Sequence, residues 1–317
     1  MLDKLTLLSG KANPSLAAEI SEALNVPLCD AAVDRFSDGE IRVRIRDSVR
    51  GADVFVIQPT CPPVNENLME LLIMIDAARR ASARRIIAVI PYYGYARQDR
   101  KHTGRVPISA RLVANLIETA GADRALTVDL HAGQIQGFFN IPVDNLASEW
   151  LFVEHAKRAF DDLRDVAVVS PDAGGTVRAR EVAGSLDLPL VILEKRRTPD
   201  GSDVDVMNVI GEVDGKRCVL VDDILSTGGT LIKGSKALLA QGAREVSAYC
   251  THGVFSGDAL AAIKESPLKR VVVTNTIALD AAEKSDVVEY ISVGEHLAKT
   301  IECIYEYRSV SQLFPHY

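Results

Sequence analysis

No apolar run in the 317-residue sequence is long enough to span a bilayer. The start, MLDKLTLLSGKANPS, reaches Lys11 without a signal-type hydrophobic core, so no secretory leader is expected. Cysteine is sparse: Cys29, Cys61, Cys218, Cys250 and Cys303 are odd in number, scattered and free of any CxxC pair. They read as reduced core or surface thiols of a cytosolic protein. Positive charge is in deficit, with 36 Lys and Arg against 43 Asp and Glu. A net charge of −7 argues against a general nucleic-acid binder. The GxxxxGK[ST] pattern of a nucleoside-triphosphate P-loop is also missing. A cytoplasmic protein with neither membrane nor nucleic-acid partners is expected.

Against those absences stands an ordinary globular composition, 47% hydrophobic and 25% charged, long enough for two domains. Short β-branched runs alternate with helical stretches, which indicates a parallel α/β architecture. Strands are expected at 5–8, 54–58, 86–90, 125–129, 166–170, 190–193, 218–222, 245–250 and 271–275. Helices are expected at 14–24, 66–81, 108–119, 177–186 and 231–241.

The two halves run in the same order. LTLLSGKANPSLAAEISEALNVPL aligns with VAVVSPDAGGTVRAREVAGSLDLPL, and DVFVIQPT (53–60) with CVLVDDIL (218–225). SARRIIAVIPYYG (82–94) matches GAREVSAYCTHGV (242–254), and ALTVDLHAG (125–133) matches RVVVTNTIA (270–278). This is a tandem duplication of a domain, with a boundary expected near 145–164 and domains assigned as 1–148 and 149–317.

VLVDDILSTGGTL (219–231) carries the most chemistry. An apolar strand ends in Asp222 and Asp223; then Ser226, Thr227, Gly228, Gly229 and Thr230 enter a helix. Such a turn presents backbone N–H groups and hydroxyls to a phosphate. The carboxylates suit ribose hydroxyls, or a magnesium ion that neutralises phosphate oxygens. Where the second half has DDILSTGGT, the first has QPTCPPVNEN, whose prolines and lost turn remove the cradle.

Other segments have two readings each. Arg97, Gln98 and Asp99 follow a strand end and an aromatic cluster; they are either a polar loop or a contact for phosphate and purine. Phe36, Ser37, Asp38, Gly39 and Glu40 form a turn before IRVRIR, either a hairpin with a solvated arginine face or a base-stacking loop. Those arginines, with Ser48 and Arg50, can also line a subunit interface or an anion site. His131 sits beside Asp129 where a strand meets a loop, and Asp172 closes a strand before a glycine turn; each can contact a magnesium–phosphate group. Glu194 to Asp205 is either a charged surface loop or a lid bringing cations over phosphates.

VDDILSTGGT resembles the phosphoribosyl-diphosphate loop of type I phosphoribosyltransferases. FSDGE, YARQDRK, ISARLVANL, DLHAGQIQGFF, SPDAGG and EKRR extend the resemblance to nearly the whole chain, and the family it points to is the ribose-phosphate diphosphokinases. The resemblance implies two tandem phosphoribosyltransferase-like domains, each a mostly parallel sheet flanked by helices. It implies ATP held by Phe36, Asp38, Gly39, Glu40, Arg97, Gln98 and Asp99, partly across a subunit interface. Ribose 5-phosphate is implied on Asp222, Asp223, Ser226, Thr227, Gly228, Gly229, Thr230 and Arg197. Lys195 and Arg197 are implied as catalytic cations, and His131 and Asp172 as magnesium ligands. A homohexamer is implied as well.

Two departures stand out. Ser226 replaces a frequent Asp, keeping a hydroxyl for phosphate but losing a carboxylate near the sugar. Gly104, within RKHTGRVPIS, stands where a Ser often binds an allosteric anion, although Ser48, Arg50, Ser82 and Arg105 remain. Phosphate activation and ADP inhibition are left open. The rival readings are an enzyme consuming the same diphosphate, which leaves FSDGE, RQD and KRR unexplained, and a non-catalytic paralogue.

Overall fold

The computed structural model describes residues 4–196, 206–278 and 285–313. By its internal contacts the chain divides into two units. The first comprises 1–146, 276–278 and 292–317, and the second 147–275 and 279–291. Residues 292–313, which the sequence reading assigned to the second domain, therefore belong to the first unit.

In the first unit, β1 (Leu5–Ser9), β4 (Asp53–Ile57), β5 (Arg85–Ile90), β6 (Arg124–Val128) and β7 (Val143–Leu146) form one sheet in that order, every pair parallel. β2 (Ala31–Arg35) and β3 (Ile41–Ile45) form a separate antiparallel hairpin. The helices are α1 (Pro14–Leu24), α2 (Val64–Arg80) and α3 (Ser109–Ala120). α1 starts where it does because the Asn13 side chain accepts the Leu16 N–H at 3.2 Å and Pro14 pre-sets the first turn.

In the second unit follow α4 (Glu149–Ala159), β8 (Val166–Ser170), α5 (Thr176–Leu186), β9 (Leu190–Arg196), β10 (Val206–Ile210), β11 (Arg217–Leu225), α6 (Gly229–Ala240), β12 (Glu245–Gly253), α7 (Ala259–Lys264), β13 (Arg270–Thr274) and β14 (Val288–Ile291). The sheet order is β10-β9-β8-β11-β12-β13-β14, with only β10 antiparallel to its neighbour. The run β8-β11-β12-β13-β14 repeats β1-β4-β5-β6-β7. The hairpin that stands apart in the first unit corresponds to β9 and β10, which extend the sheet in the second.

Both faces of the second sheet are covered, so its strands read as continuous apolar runs. Successive residues alternate between the two cores. Ala167, Val169, Cys218 and Leu220 pack with Leu231 and Leu238 of α6, whereas Val166, Val168, Val219 and Val221 pack with Phe152 of α4 and Val182 of α5.

Pairing also corrects the repeat alignment. Leu5 pairs with Asp53, and its counterpart Val166 pairs with Arg217. The sheet thus superposes Gln58 on Asp222, one residue from the alignment read off the sequence. A one-residue slip moves side chains to the opposite face of a strand, so this register decides which pairs are equivalent.

α4 and α8 (Gly294–Tyr305) escaped the sequence reading. α8 packs on α1, and the Ser292 hydroxyl donates to Glu19. Just beyond it, the Tyr307 ring lies 4.3 Å from the Arg85 guanidinium. Arg85 and Arg84 both bind Asp53, which is fully buried, Arg84 through two bonds of 2.8 and 2.7 Å. Burial alone would raise the Asp53 carboxyl, but the two guanidiniums hold it below the usual carboxylate range. Asp53→Ala is expected to destabilise the chain by about 1–3 kcal/mol, the cost of leaving buried donors without their acceptor. A urea midpoint equal to that of the wild type would rule this out.

Candidate active site

Each parallel sheet sends its βα connections off the carboxyl ends of its strands, where α/β proteins bind ligands. In the second unit this edge carries Asp172, Asp222, Asp223 and the turn Ser226–Thr230. β11 runs on to Leu225, so the acid pair lies within the strand rather than beyond its end, a correction to the sequence reading. Asp223 is buried and Asp222 half-buried.

The Asp223 N–H donates to Asp222 Oδ1 at 2.9 Å, and Arg178 Nη1 of α5 lies 3.9 Å from Asp223 Oδ1. Burial, then the Asp223 charge beside it, pushes the Asp222 carboxyl up to about 8. Arg178 thus stands beside two crowded carboxylates. Arg178 was missed in the sequence; its only signal was a basic residue two positions into a helix that follows a glycine turn.

Gly228 caps α6 at φ +76°, and a Cβ there would meet Ile263 Cγ1 at 3.3 Å, so any other residue would be strained. No side chain caps the helix. Its first N–H groups, which have no intrahelical acceptors, face outward at the positive end of the helix dipole. Ser226 is braced from the loop after β12: its hydroxyl donates to Ser256 Oγ at 3.2 Å, and the Ser256 N–H donates to Ser226 O at 3.0 Å. In the loop after β8, Asp172 is exposed and its Oδ1 accepts the Gly175 N–H at 2.9 Å. Lys195 lies in β9, its backbone opposite Met207 of β10. Arg197 lies outside the described residues.

The same place in the first unit is closed. Gln58, at the position of Asp222, is fully buried; its Oε1 accepts the Ala12 N–H at 3.1 Å and its Nε2 donates to Glu70 Oε1 at 2.9 Å. Glu70 also accepts the Lys11 N–H at 2.6 Å. The loop amides that could hold an anion are satisfied by the protein itself.

The first unit has a different opening. A cavity of about 340 Å³ is lined by Val64, Asn65, Tyr95, Ala96, Arg97 and Gln98. Asp99 is buried and accepts Gln134 Nε2 at 2.7 Å, which joins the RQD segment to the loop carrying His131. His131 is exposed and follows Asp129, whose φ is +42°. Phe36 stands half-exposed at the tip of the β2–β3 hairpin with the Arg42 guanidinium 5.2 Å away. Gly39 takes φ +95°, and Asp38 Oδ1 accepts the Glu40 N–H at 3.1 Å. Among the described residues, no hydrogen bond or ion pair joins Phe36–Glu40 to Arg97–Asp99.

Ser48, Arg50 and Ser82 share one exposed neighbourhood, tied by the Gly51 N–H donating to Ser82 O at 2.8 Å. Arg105, at φ +63°, has no hydrogen bond or ion pair to them among the described residues.

A duplicated parallel α/β unit with one acid pair and glycine turn defines a protein of the phosphoribosyltransferase-like fold. Residues 5–121 match the family described as the N-terminal domain of ribose phosphate pyrophosphokinase, and residues 167–315 the phosphoribosyl synthetase-associated domain. The chain is 55% identical over 313 residues to the ribose-phosphate pyrophosphokinase of Caldanaerobacter subterraneus subsp. tengcongensis, covering 98% of each chain. It is 52% identical over 311 residues to that of Bacillus caldolyticus, again covering 98% of each. A crystal structure of phosphoribosylpyrophosphate synthetase from Mycobacterium smegmatis superposes with a TM-score of 0.91 at 43% identity, over 96% of this chain and 100% of that one. The chain belongs to the ribose-phosphate pyrophosphokinase family.

The acid pair makes a pH prediction. A carboxyl whose folded value lies above its unfolded value stabilises the fold below the unfolded value and loses that contribution as pH rises through the folded one. Asp222→Asn removes the penalty. The melting temperature of the variant is expected to exceed that of the wild type by a gap that opens as pH rises above about 4 and is complete at about pH 8. The two should converge below about pH 4, where an ordinary carboxyl is protonated. A gap that persists at low pH would contradict this origin.

Proposed function

We infer that this chain is a ribose-phosphate diphosphokinase, an enzyme that transfers the diphosphoryl group of ATP to the anomeric hydroxyl of ribose 5-phosphate. The products are 5-phosphoribosyl 1-diphosphate and AMP. In the geometry, the carrying observation is the Gly228 turn behind Asp222 and Asp223 in the second unit only, with Gln58 closing its counterpart. One unit therefore offers a sugar-phosphate cradle and the other a separate cavity beside Arg97 and Gln98, as two substrates require.

In this reading the turn amides and the hydroxyls of Ser226, Thr227 and Thr230 hold the 5-phosphate, and Asp222 and Asp223 accept from the ribose hydroxyls. Phe36, Asp38, Glu40, Arg97, Gln98 and Asp99 hold ATP. The anomeric oxygen forms a bond to the β-phosphorus and gives up its proton to solvent, the bond from that phosphorus to the α-phosphate oxygen breaks, and AMP leaves with the electron pair of that bond. Charge grows on the transferred group and on the leaving AMP. Lys195 and Arg197 oppose it by position and charge, without a covalent intermediate.

Magnesium is proposed as the cofactor. Among the described residues no cluster of three metal-ligating side chains exists. A hard cation that takes most of its oxygens from phosphate and water needs only one or two protein carboxylates, which suits Asp172; the family resemblance adds His131 to the proposal. When bound, it would neutralise phosphate oxygens.

No helix among the described residues is long and apolar enough to cross a membrane, and a cytoplasmic location is proposed. A homohexamer is proposed too, to be checked by sedimentation equilibrium: a mass near six times 34.3 kDa is expected, and a monomer would refute it.

AMP production from ATP that requires both ribose 5-phosphate and Mg²⁺ is the expected result of the activity assay. Consumption of phosphoribosyl diphosphate with a nucleobase would favour the transferase reading, and no turnover the non-catalytic one. Lys195→Ala is expected to lower kcat by roughly a thousandfold with modest change in KM, as for loss of a transition-state charge contact. Near-normal turnover would remove Lys195 from its role.

A further inference from the structure

The loop after β12 is fastened to the glycine turn through the backbone. The N–H groups of Val254 and Phe255 donate to Leu225 O at 2.9 and 3.2 Å, and the Ser256 N–H donates to Ser226 O at 3.0 Å. These bonds continue the pairing of β11 with β12, in which Leu225 lies opposite Gly253. The turn is therefore held at its first residue without help from any side chain.

Two features of the loop exceed what that fastening needs. Phe255 takes φ +47°, the left-handed region that a bulky residue enters only when its surroundings force it. Its ring packs on the core of the second unit, and a Cβ on Gly253 would meet Phe255 Cε2 at 2.5 Å. Backbone strain of this kind gathers at ligand sites. The second feature is the side-chain bond that follows the bend, from the Ser226 hydroxyl to Ser256 Oγ at 3.2 Å. Ser226 is half-buried and Ser256 exposed, so this bond competes with water and adds little to the fold.

A hydroxyl has one donor hydrogen and two acceptor lone pairs. With its hydrogen on Ser256, Ser226 offers a ligand only lone pairs, the wrong polarity for a phosphate made of acceptors. Reversing the pair corrects this: Ser256 donates to Ser226 Oγ, and the Ser226 hydrogen is released to the ligand. An oxygen that accepts one hydrogen bond donates its own more strongly, so the two hydroxyls act as a short relay. No covalent bond changes, and both hydroxyls keep a partner.

We propose that Ser256 is a positioning residue for ribose 5-phosphate that acts through Ser226: it aims the Ser226 hydroxyl and donates to it when the sugar phosphate lies on the turn. This rests on ribose 5-phosphate occupying that turn, as inferred above.

Steady-state kinetics on the full-length enzyme test it. Ser256→Ala is expected to raise KM for ribose 5-phosphate by about 2- to 10-fold, the range for one lost hydrogen bond. A contact to the non-reacting phosphate is made equally before and during the reaction, so kcat should hold. KM for ATP and the melting temperature should not move, and Ser256→Thr, which keeps the hydroxyl, should restore KM for ribose 5-phosphate. A double-mutant cycle decides whether the effect runs through Ser226. Ser226→Ala already removes the relay, so the double variant should match it within about twofold. Penalties that multiply would show that Ser256 acts on its own and would overturn the proposal. An unchanged KM for ribose 5-phosphate in Ser256→Ala overturns it as well. So does a parallel rise in both KM values or a lowered melting temperature, either of which marks a brace of the fold. A wild type that forms no AMP would overturn the functional reading itself, which separates the two failures.

Discussion

Parallel strand pairing is the constraint on which the rest depends. A parallel pair cannot be closed by a tight turn, so each strand must be followed by a crossover, and every strand-to-helix connection leaves from the same edge. In the second unit that edge gathers the loop after β8, the end of β11 and the start of α6. A phosphate-type turn and two carboxylates become neighbours because β8 and β11 are hydrogen-bonded side by side, although about 50 residues separate them in the chain.

The duplicated architecture makes the difference between the units interpretable. Sheet order is repeated, so the edge positions are equivalent and only side chains distinguish them. Asp222 leaves a carboxyl raised by burial and by the Asp223 charge at its edge, with Arg178 3.9 Å from Asp223. Gln58 leaves nothing: a neutral amide donates on one side and accepts on the other, and it fills the space a ligand would need. The first Cβ position in that loop is blocked as well, because a side chain on Gly10 would meet Gln58 Oε1 at 2.2 Å. The two edges therefore differ in the side chain at one equivalent strand position, Gln58 against Asp222, and in the glycine turn that follows it in the second unit.

Long, strongly patterned elements were legible in the sequence. β8 and α1 have the expected limits, and most other strands and helices lie within a few residues of them. α4 was not legible, since EWLFVEHAKRA buries a wide face that mixes aromatic, His and apolar residues rather than a clean stripe. The attachment of α8 to α1 was invisible for a different reason: it joins residues 273 apart, and nothing local to Ser292 or Glu19 announces the bond between them. Of the site, the acids, the turn and the RQD segment were readable as chemistry. Arg178, Ser256, Ser109 and Gln134 were not, because each is a common surface-type residue whose role comes from what it touches.

By itself the sequence determined the class of fold, the duplication, the family and the residue types available for phosphate and sugar. Those depend on periodicity and on short contiguous motifs, which survive without coordinates. Only the tertiary structure decided the one-residue register that equates Gln58 with Asp222, the return of residues 292–313 to the first unit, the raised Asp222 carboxyl and the hydrogen bond from Ser109 to Gln98. Each of these is set by burial or by a hydrogen bond between distant segments, and distance along the chain carries no information about either.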